Sequence, residues 1–337
     1  MALSLLISGC ANAQSKSMCS SLDVVGTQLP AIRHMNDMKM SADTLLFVYE
    51  CEGGYGQQYL RRAVVDTEKN KLSVSNDMGK REGGYYVSDM PYPFITSCGS
   101  IGVISRDNGE VYSVSNDTVF IRTKQYLLDV NFKISFPLSQ YVQDVFAISP
   151  DRYVFIGREP KGGRQFAMTT DMTSSEIDTI RQVNISPDLQ AWMPNAGEMA
   201  YSDKYDRLAF AYRLHPIIEI FGLDGKIIKS VRVGDDTFDV KTLCEADFED
   251  LNTLHTVDIT YTHDFIYAIY WGYKFKDSKT KTPTILKLDW KGNIIDRYTG
   301  LPASLRRIAA VNNSTLIGWD GNNFIKLGML VNQSKTT

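Results

Sequence analysis

The 337-residue chain is poor in the residues that most often carry chemistry. Its four histidines, His34, His215, His255 and His263, share no H-x-x-x-H or other zinc-ligand spacing. Its five cysteines, Cys10, Cys19, Cys51, Cys98 and Cys244, contain no C-x-x-C pair, so neither a zinc knuckle nor a thioredoxin-like redox motif is expected. There is no G-x-S-x-G nucleophile elbow, and no G-x-x-x-x-G-K-[ST] or G-x-G-x-x-G cradle for nucleotide phosphates. Net charge is only −3, far from the strongly basic balance of a nucleic-acid binder. No apolar run is long enough to span a bilayer as a helix. The acidic stretch 235–250 lacks the D-x-[DN]-x-[DN]-G order of a calcium loop and reads as solvated surface. These absences leave no catalytic residue, metal or cofactor to expect.

Short β-rich runs fill the chain instead. Residues 197–231 show the pattern best: an inner strand expected at 197–202, a polar turn, an aromatic run at 208–212, a break at Pro216, a run at 217–221, the hairpin signal Asp224-Gly225 and a returning strand at 226–231. The periodicity is closer to two than to 3.6, as strands require. The unit recurs 67 residues later, with Gly292 in the place of Gly225, Ile285 of Ile218, and Ile294-Ile295 of Ile227-Ile228. Comparable four-strand units can be drawn at about 32–78, 94–136, 142–184, 254–299 and 305–330. The inner-strand landmarks Phe94, Val145, Met199, Val257 and Ile308 follow at intervals of 51, 54, 58 and 51 residues. A four-stranded unit repeated six times implies an all-β, six-bladed β-propeller, an architecture that protects sheet edges by radial repetition. The last unit lacks a fourth strand. Residues 21–29, with Val24 and Val25, are expected to supply it and close the ring, making 21–337 one domain.

Ahead of that domain, Leu6-Ile7-Ser8-Gly9-Cys10 has the form of a bacterial lipobox, in which the chain is cut before a cysteine that receives lipid, although the basic segment that normally precedes it is missing. Cys10 is the expected lipidation site, and residues 1–20 a signal remnant and tether. The lipobox, the six units and the phrases at 205–208 (YDRL) and 218–226 (IEIFGLDGK) resemble the six-bladed, TolB-like propeller lipoproteins of Bacteroides-type bacteria. That resemblance covers nearly the whole chain. It implies a membrane-anchored protein of the bacterial cell envelope and carries no general activity or catalytic residue with it.

In such a blade, the connections between strands two and three, and from strand four to the next blade, emerge on one face. Here they include residues 51–58, 79–93, 157–163, 213–216, 234–253 and 271–283, the long loops, while the opposite face carries short turns such as 203–206 and 224–225. A rigid scaffold presenting long loops on one side is where binding residues belong. The candidates there are Tyr55, Tyr86, Tyr92, Arg158, Arg213 and His215, with Trp271 and Tyr273. Arg33 and His34 join Asp144, Glu198, Asp258 and Arg307 as expected linings of the central funnel. Two functions follow: a non-enzymatic envelope binding or scaffold module with a protein or carbohydrate partner on the long-loop face, or a hydrolase or lyase acting on carbohydrate or lactone in the funnel. Cys51 and Cys98 fall in adjacent units; free thiols are expected, with a disulfide between them as the alternative.

Overall fold

The structure, a computed structural model, describes residues 14–52, 57–81, 90–96, 99–106, 110–114, 119–125, 142–150, 152–158, 163–171, 176–187, 189–234 and 251–329. The chain opens with three short strands, β1 (Gln14–Lys16), β2 (Met18–Ser21) and β3 (Asp23–Gly26). Blade one is β4 (Ile32–Ser41), β5 (Thr44–Cys51), β6 (Gln58–Asp66) and β7 (Lys71–Met78). After β8 (Lys80–Arg81), blade two is β9 (Pro91–Ile95), β10 (Ile101–Ser105), β11 (Glu110–Val114) and β12 (Val119–Gln125). Blade three is β13 (Gln143–Ala147), β14 (Arg152–Arg158), β15 (Gln165–Asp171) and β16 (Glu176–Gln182). Blade four is β17 (Gly197–Ser202), β18 (Arg207–Tyr212), β19 (Ile217–Gly222) and β20 (Ile227–Arg232). Blade five is β21 (Thr253–Tyr261), β22 (Phe265–Lys274), β23 (Thr284–Asp289) and β24 (Ile294–Thr299), with one 3-10 turn at Phe275–Asp277. Blade six supplies β25 (Arg307–Asn312), β26 (Thr315–Trp319) and β27 (Phe324–Gly328).

Each blade is an antiparallel meander, and the six inner strands touch in the cyclic order β4, β9, β13, β17, β21, β25 and back to β4. The fold is therefore a closed six-bladed β-propeller with almost no helix. Its core is divided rather than central. Six apolar clusters lie one between each pair of neighbouring blades. The pleat explains this: successive side chains of a strand point to opposite faces, so each sheet feeds two interfaces. On β5, Leu45, Phe47 and Tyr49 pack toward blade six, while Leu46 and Val48 pack toward blade two. The repeat read from sequence is visible in the backbone. Gly225 and Gly292 hold equivalent turns with φ of 77° and 80°, a conformation glycine reaches without a Cβ clash.

Two details differ from the sequence reading. The strand that completes blade six is β2, antiparallel to β27 with Met18 opposite Gly328 and Ser21 opposite Ile325, not the segment 21–29. The latter region instead forms β3, paired in parallel with β7 of blade one. Strands also begin at Gln14, inside the stretch read as tether: β1 pairs in parallel with β24 of blade five. Buried polar groups help hold this placement. Ser15, buried, donates to Asp296 Oδ2 at 2.7 Å, and buried Ser17 donates to the Thr299 carbonyl at 3.0 Å. In blade two, read from sequence as 94–136, the last strand described is β12, and residues 126–136 lie outside the described residues.

Candidate functional site

The inner strands carry their charged residues toward the ring axis, where two cups open from opposite faces. A plug of ion pairs lies between them. Arg307, at the start of β25, donates through Nη1 to Glu198 of β17 and to Asp258 of β21 at 3.0 Å, and through Nε to the Met35 carbonyl of β4 at 3.2 Å. Arg213 reaches Glu198 from the far side at 3.5 Å. Asp258 Oδ2 also accepts the Ile308 N–H at 2.6 Å. Two carboxyls under one guanidinium do not share the charge equally. Burial works against ionisation of Glu198, but Arg307 and its other partners outweigh it and hold the carboxyl down to about 2. Burial and the neighbouring Glu198 push the Asp258 carboxyl well above the carboxylate range. Burial also opposes the Arg307 charge, and the two acids more than restore it.

The cup on the long-loop face encloses about 450 Å³. Arg33 and His34 enter it from β4, Arg213 from the end of β18, Trp271 from β22, Phe275 and Lys279 from the connection after β22, and Arg306 from just before β25. Arg307 and Met35 form the floor, and Asp320 is the one carboxylate among the lining residues described. Trp271 stacks on Tyr273 at 5.0 Å between centroids, and the Arg306 guanidinium lies 4.8 Å from the Phe275 ring.

The larger cup, about 560 Å³, opens on the short-turn face, which the sequence reading passed over. Asp37, Asp144, Glu198, Asp203, Asp258 and Asp264 line it, with Lys39, Phe146 and Tyr261. Lys39 Nζ donates to Tyr92 Oη at 3.0 Å and lies 3.3 Å from Asp37. Tyr92 in turn donates to Asp144 Oδ1 at 3.3 Å and accepts the Asp144 N–H at 2.5 Å. Asp144 Oδ2 accepts the Met199 N–H at 2.8 Å, clasping blade three to blade four as Asp258 clasps five to six. Asp144 sits at a bulge in β13 with φ of 51°, in the left-handed region. Burial raises its carboxyl to about 7; Lys39 opposes the rise, and Glu198 and Asp37 add to it.

Of the residues singled out from sequence, Arg33, His34, Arg213 and Trp271 come together around the long-loop cup. Asp144, Glu198 and Asp258 line the opposite cup, with Arg307 between the two. Others are corrected. Tyr92 is buried and turned to the axis, bonded to Lys39, because as part of the inner strand β9 it is not loop at all. His215 is wholly buried against the Tyr212 ring, and burial lowers its pKa to about 4, so it stays neutral. Tyr273 is buried in the cluster between blades five and six. Arg158 stands over the Trp192 ring at 3.8 Å and does not line either cup. Tyr55, Tyr86, Cys98, Cys244 and Cys10 lie outside the described residues; Cys19 and Cys51 are free thiols. Lys39 and Asp37 were missed. Their signal was a pair of charges two residues apart within a methionine-rich inner strand, a pattern that places both on one face. Among the described residues no three His, Cys, Asp or Glu side chains are grouped to hold a metal, and no helix is long and apolar enough to cross a membrane.

No protein-family profile matches the chain, and no curated protein matches it by sequence. Solved structures do match its shape. A member of the DUF4221 family from Bacteroides vulgatus superposes with a TM-score of 0.55 at 13% identity, covering 94% of this chain and 97% of that one. A candidate exported protein from Bacteroides fragilis gives 0.55 at 11% identity, covering 96% and 98%. A structural-genomics protein of unknown function from Bacteroides thetaiotaomicron gives 0.53 at 12%, covering 93% and 76%. At such identities the likeness establishes the six-bladed propeller fold alone.

Proposed function

We propose that the protein is a non-enzymatic binding or scaffold propeller of the cell envelope, held to a membrane by lipid on Cys10, which receives its ligand or partner in the long-loop cup. The observation that carries this reading is the composition of that cup. Guanidinium and ammonium groups stand beside the Trp271 and Phe275 rings over a floor sealed by the Arg307 ion pairs. A concave site with few convergent polar groups and an aromatic wall is a ligand site by its physics. Its chemistry favours a ligand that carries negative charge on a flat, partly apolar body, such as an acidic sugar. The export assigned to the Bacteroides fragilis neighbour supports an envelope or extracellular location. The test is titration with acidic oligosaccharides by calorimetry. Binding should weaken at least tenfold in Lys279→Ala/Arg306→Ala and fall with added salt. Ligands that bind equally well to the double variant would remove the cup from the reading.

A second reading, a hydrolase or lyase for carbohydrate or lactone, draws on one observation. Asp144, near 7, and Glu198, near 2, line the same short-turn cup, and carboxyls pushed apart in this way are suited to acid and base roles. Against it, both Asp144 oxygens are already engaged, by Met199 N–H and Tyr92 Oη. Turnover of an acidic oligosaccharide or a lactone that disappears in Asp144→Asn would favour this reading over binding alone.

A further inference from the structure

Among the described residues three isoleucines are exposed, all near the starts of the outer strands of blades four and five. Ile227 and Ile228 of β20 are 48% and 45% exposed, and Ile295 of β24 is 48% exposed. Blades four and five meet there. The turn around Gly292 packs on β20, where a Cβ on Gly292 would lie 2.8 Å from the Lys229 side chain, and Lys229 Nζ donates to Asn293 at 3.1 Å. Basic side chains flank the isoleucines: Lys226, Lys229, Arg232 and Lys291 are all exposed. Two carboxylates stand against these four basic side chains. Asp224 pairs with Lys226, and Asp289 accepts from Lys291 and Asn293 within its own turn. Exposed isoleucines with lysines beside them on neighbouring outer strands have the composition of a surface that rests on lipid headgroups.

The chain's own path says what covers it. β1 is the outermost strand of blade five, and Gln14 lies opposite Arg297, two residues along β24 from Ile295. Because β1 runs parallel to β24, the N-terminal end of β1 lies toward the Ile294 end of that strand. Only three residues separate Cys10 from Gln14. Four Cα steps reach at most about 14 Å. A lipid on Cys10 would therefore be tethered within about 14 Å of Gln14, on the side of β24 that carries Ile295.

We propose that the rim of blades four and five, through Ile227, Ile228 and Ile295 with Lys226, Lys229 and Lys291, lies on the bilayer surface and holds the propeller edge-on, so that both cups stay open to solvent. The proposal rests on lipidation of Cys10. Several acyl chains on Cys10 would make attachment stable by themselves, so the basic, apolar contact beside the anchor sets the orientation of the propeller rather than its binding.

Lysine acylation read by mass spectrometry tests the proposal on the natural chain. The lipid-bearing protein is placed on vesicles of phosphatidylethanolamine and phosphatidylglycerol and compared with itself in detergent and with soluble Cys10→Ser. Lys226, Lys229 and Lys291 should react at least threefold more slowly on vesicles, while Lys204 on the short-turn face and Lys279 on the long-loop face keep their rates. In Ile228→Ser/Ile295→Ser the protection should shrink while the protein stays attached. An acylated, vesicle-bound protein with unprotected rim lysines overturns the rim contact and leaves the anchor standing. Protection of Lys279 or Lys204 instead means a face-on pose and overturns it too. Rim protection without vesicles, together with a dimeric mass, marks a second copy on the β20 edge and overturns it. A Cys10 without lipid ends both the anchor and the contact.

Discussion

Asp144 shows how much one residue carries. It holds a left-handed backbone at φ 51°, clasps blade four through the Met199 N–H and sits among Asp37 and Glu198 with only Lys39 to offset them. Its carboxyl is raised to about 7 from an ordinary 3.8, so between those values the folded protein binds a proton that the unfolded chain has released. Stability from this group is therefore present at low pH and is lost as pH rises toward 7. Asp144→Asn keeps an acceptor for Met199 and suits a left-handed φ, so it should remove that slope. Melting followed from pH 5 to pH 8 should show the variant equal or slightly weaker at pH 5 and roughly 1–3 kcal/mol more stable than wild type at pH 8. Parallel pH profiles would show that Asp144 is ionised throughout. His215 acts with the opposite sign. Burial lowers it to about 4, so its contribution is whole above the unfolded value near 6.5 and is lost as pH falls toward 4. His215→Phe should be less acid-sensitive than wild type over that window, as a melting series checks.

At the scale of strands, the repeat was legible because burial on both faces of every sheet forces short β-rich runs at a regular interval. The turns Asp224-Gly225 and Gly292 marked the register directly. The site was legible only in part. Arg33, His34, Asp144, Glu198, Asp258 and Arg307 could be assigned to the axis from their place on inner strands. Tyr92 and His215 were misplaced because a polar aromatic beside a proline looks the same whether it ends in a loop or turns inward. The N-terminal strap was hardest to read. β1, β2 and β3 are three or four residues each, too short for periodicity, and each joins a different blade: five, six and one. Removing residues 1–13 should leave stability nearly unchanged. Removing residues 1–21 takes away β1 and β2, strips the closing edge from β27 and exposes Ile325 and Leu327 to pairing with other chains. That chain should melt several degrees lower and aggregate, whereas equal melting of the two truncations would mean that the strap contributes nothing to closure.

For the molecule as a whole, Arg307 is the residue whose loss should be felt furthest. It stands on blade six and binds blade one through Met35, blade four through Glu198 and blade five through Asp258, so four of the six blades meet at one guanidinium. Replacing a buried ionic cluster wholesale can be neutral, but removing one partner leaves the others uncompensated. Arg307→Met keeps most of the side-chain volume and removes the charge. Glu198, now held down only by Arg213 and its bond to Asp258, should rise out of its depressed range into the range of a buried carboxyl. The variant then has a native carboxyl pKa above the unfolded value, and its stability falls as pH rises, the reverse of what Glu198 contributes in the wild type. The expected cost is about 3–5 kcal/mol at pH 8 and distinctly less at pH 5, where protonation of Glu198 relieves the buried charge. Adding Glu198→Gln to Arg307→Met should recover much of the loss at pH 8, because the group left uncompensated is then neutral. Chemical denaturation of the two variants and wild type at both pH values decides it. A loss that is the same at both pH values, or that the second substitution does not repair, would show that Arg307 acts through packing and the Met35 carbonyl rather than through the charges it holds at the ring axis.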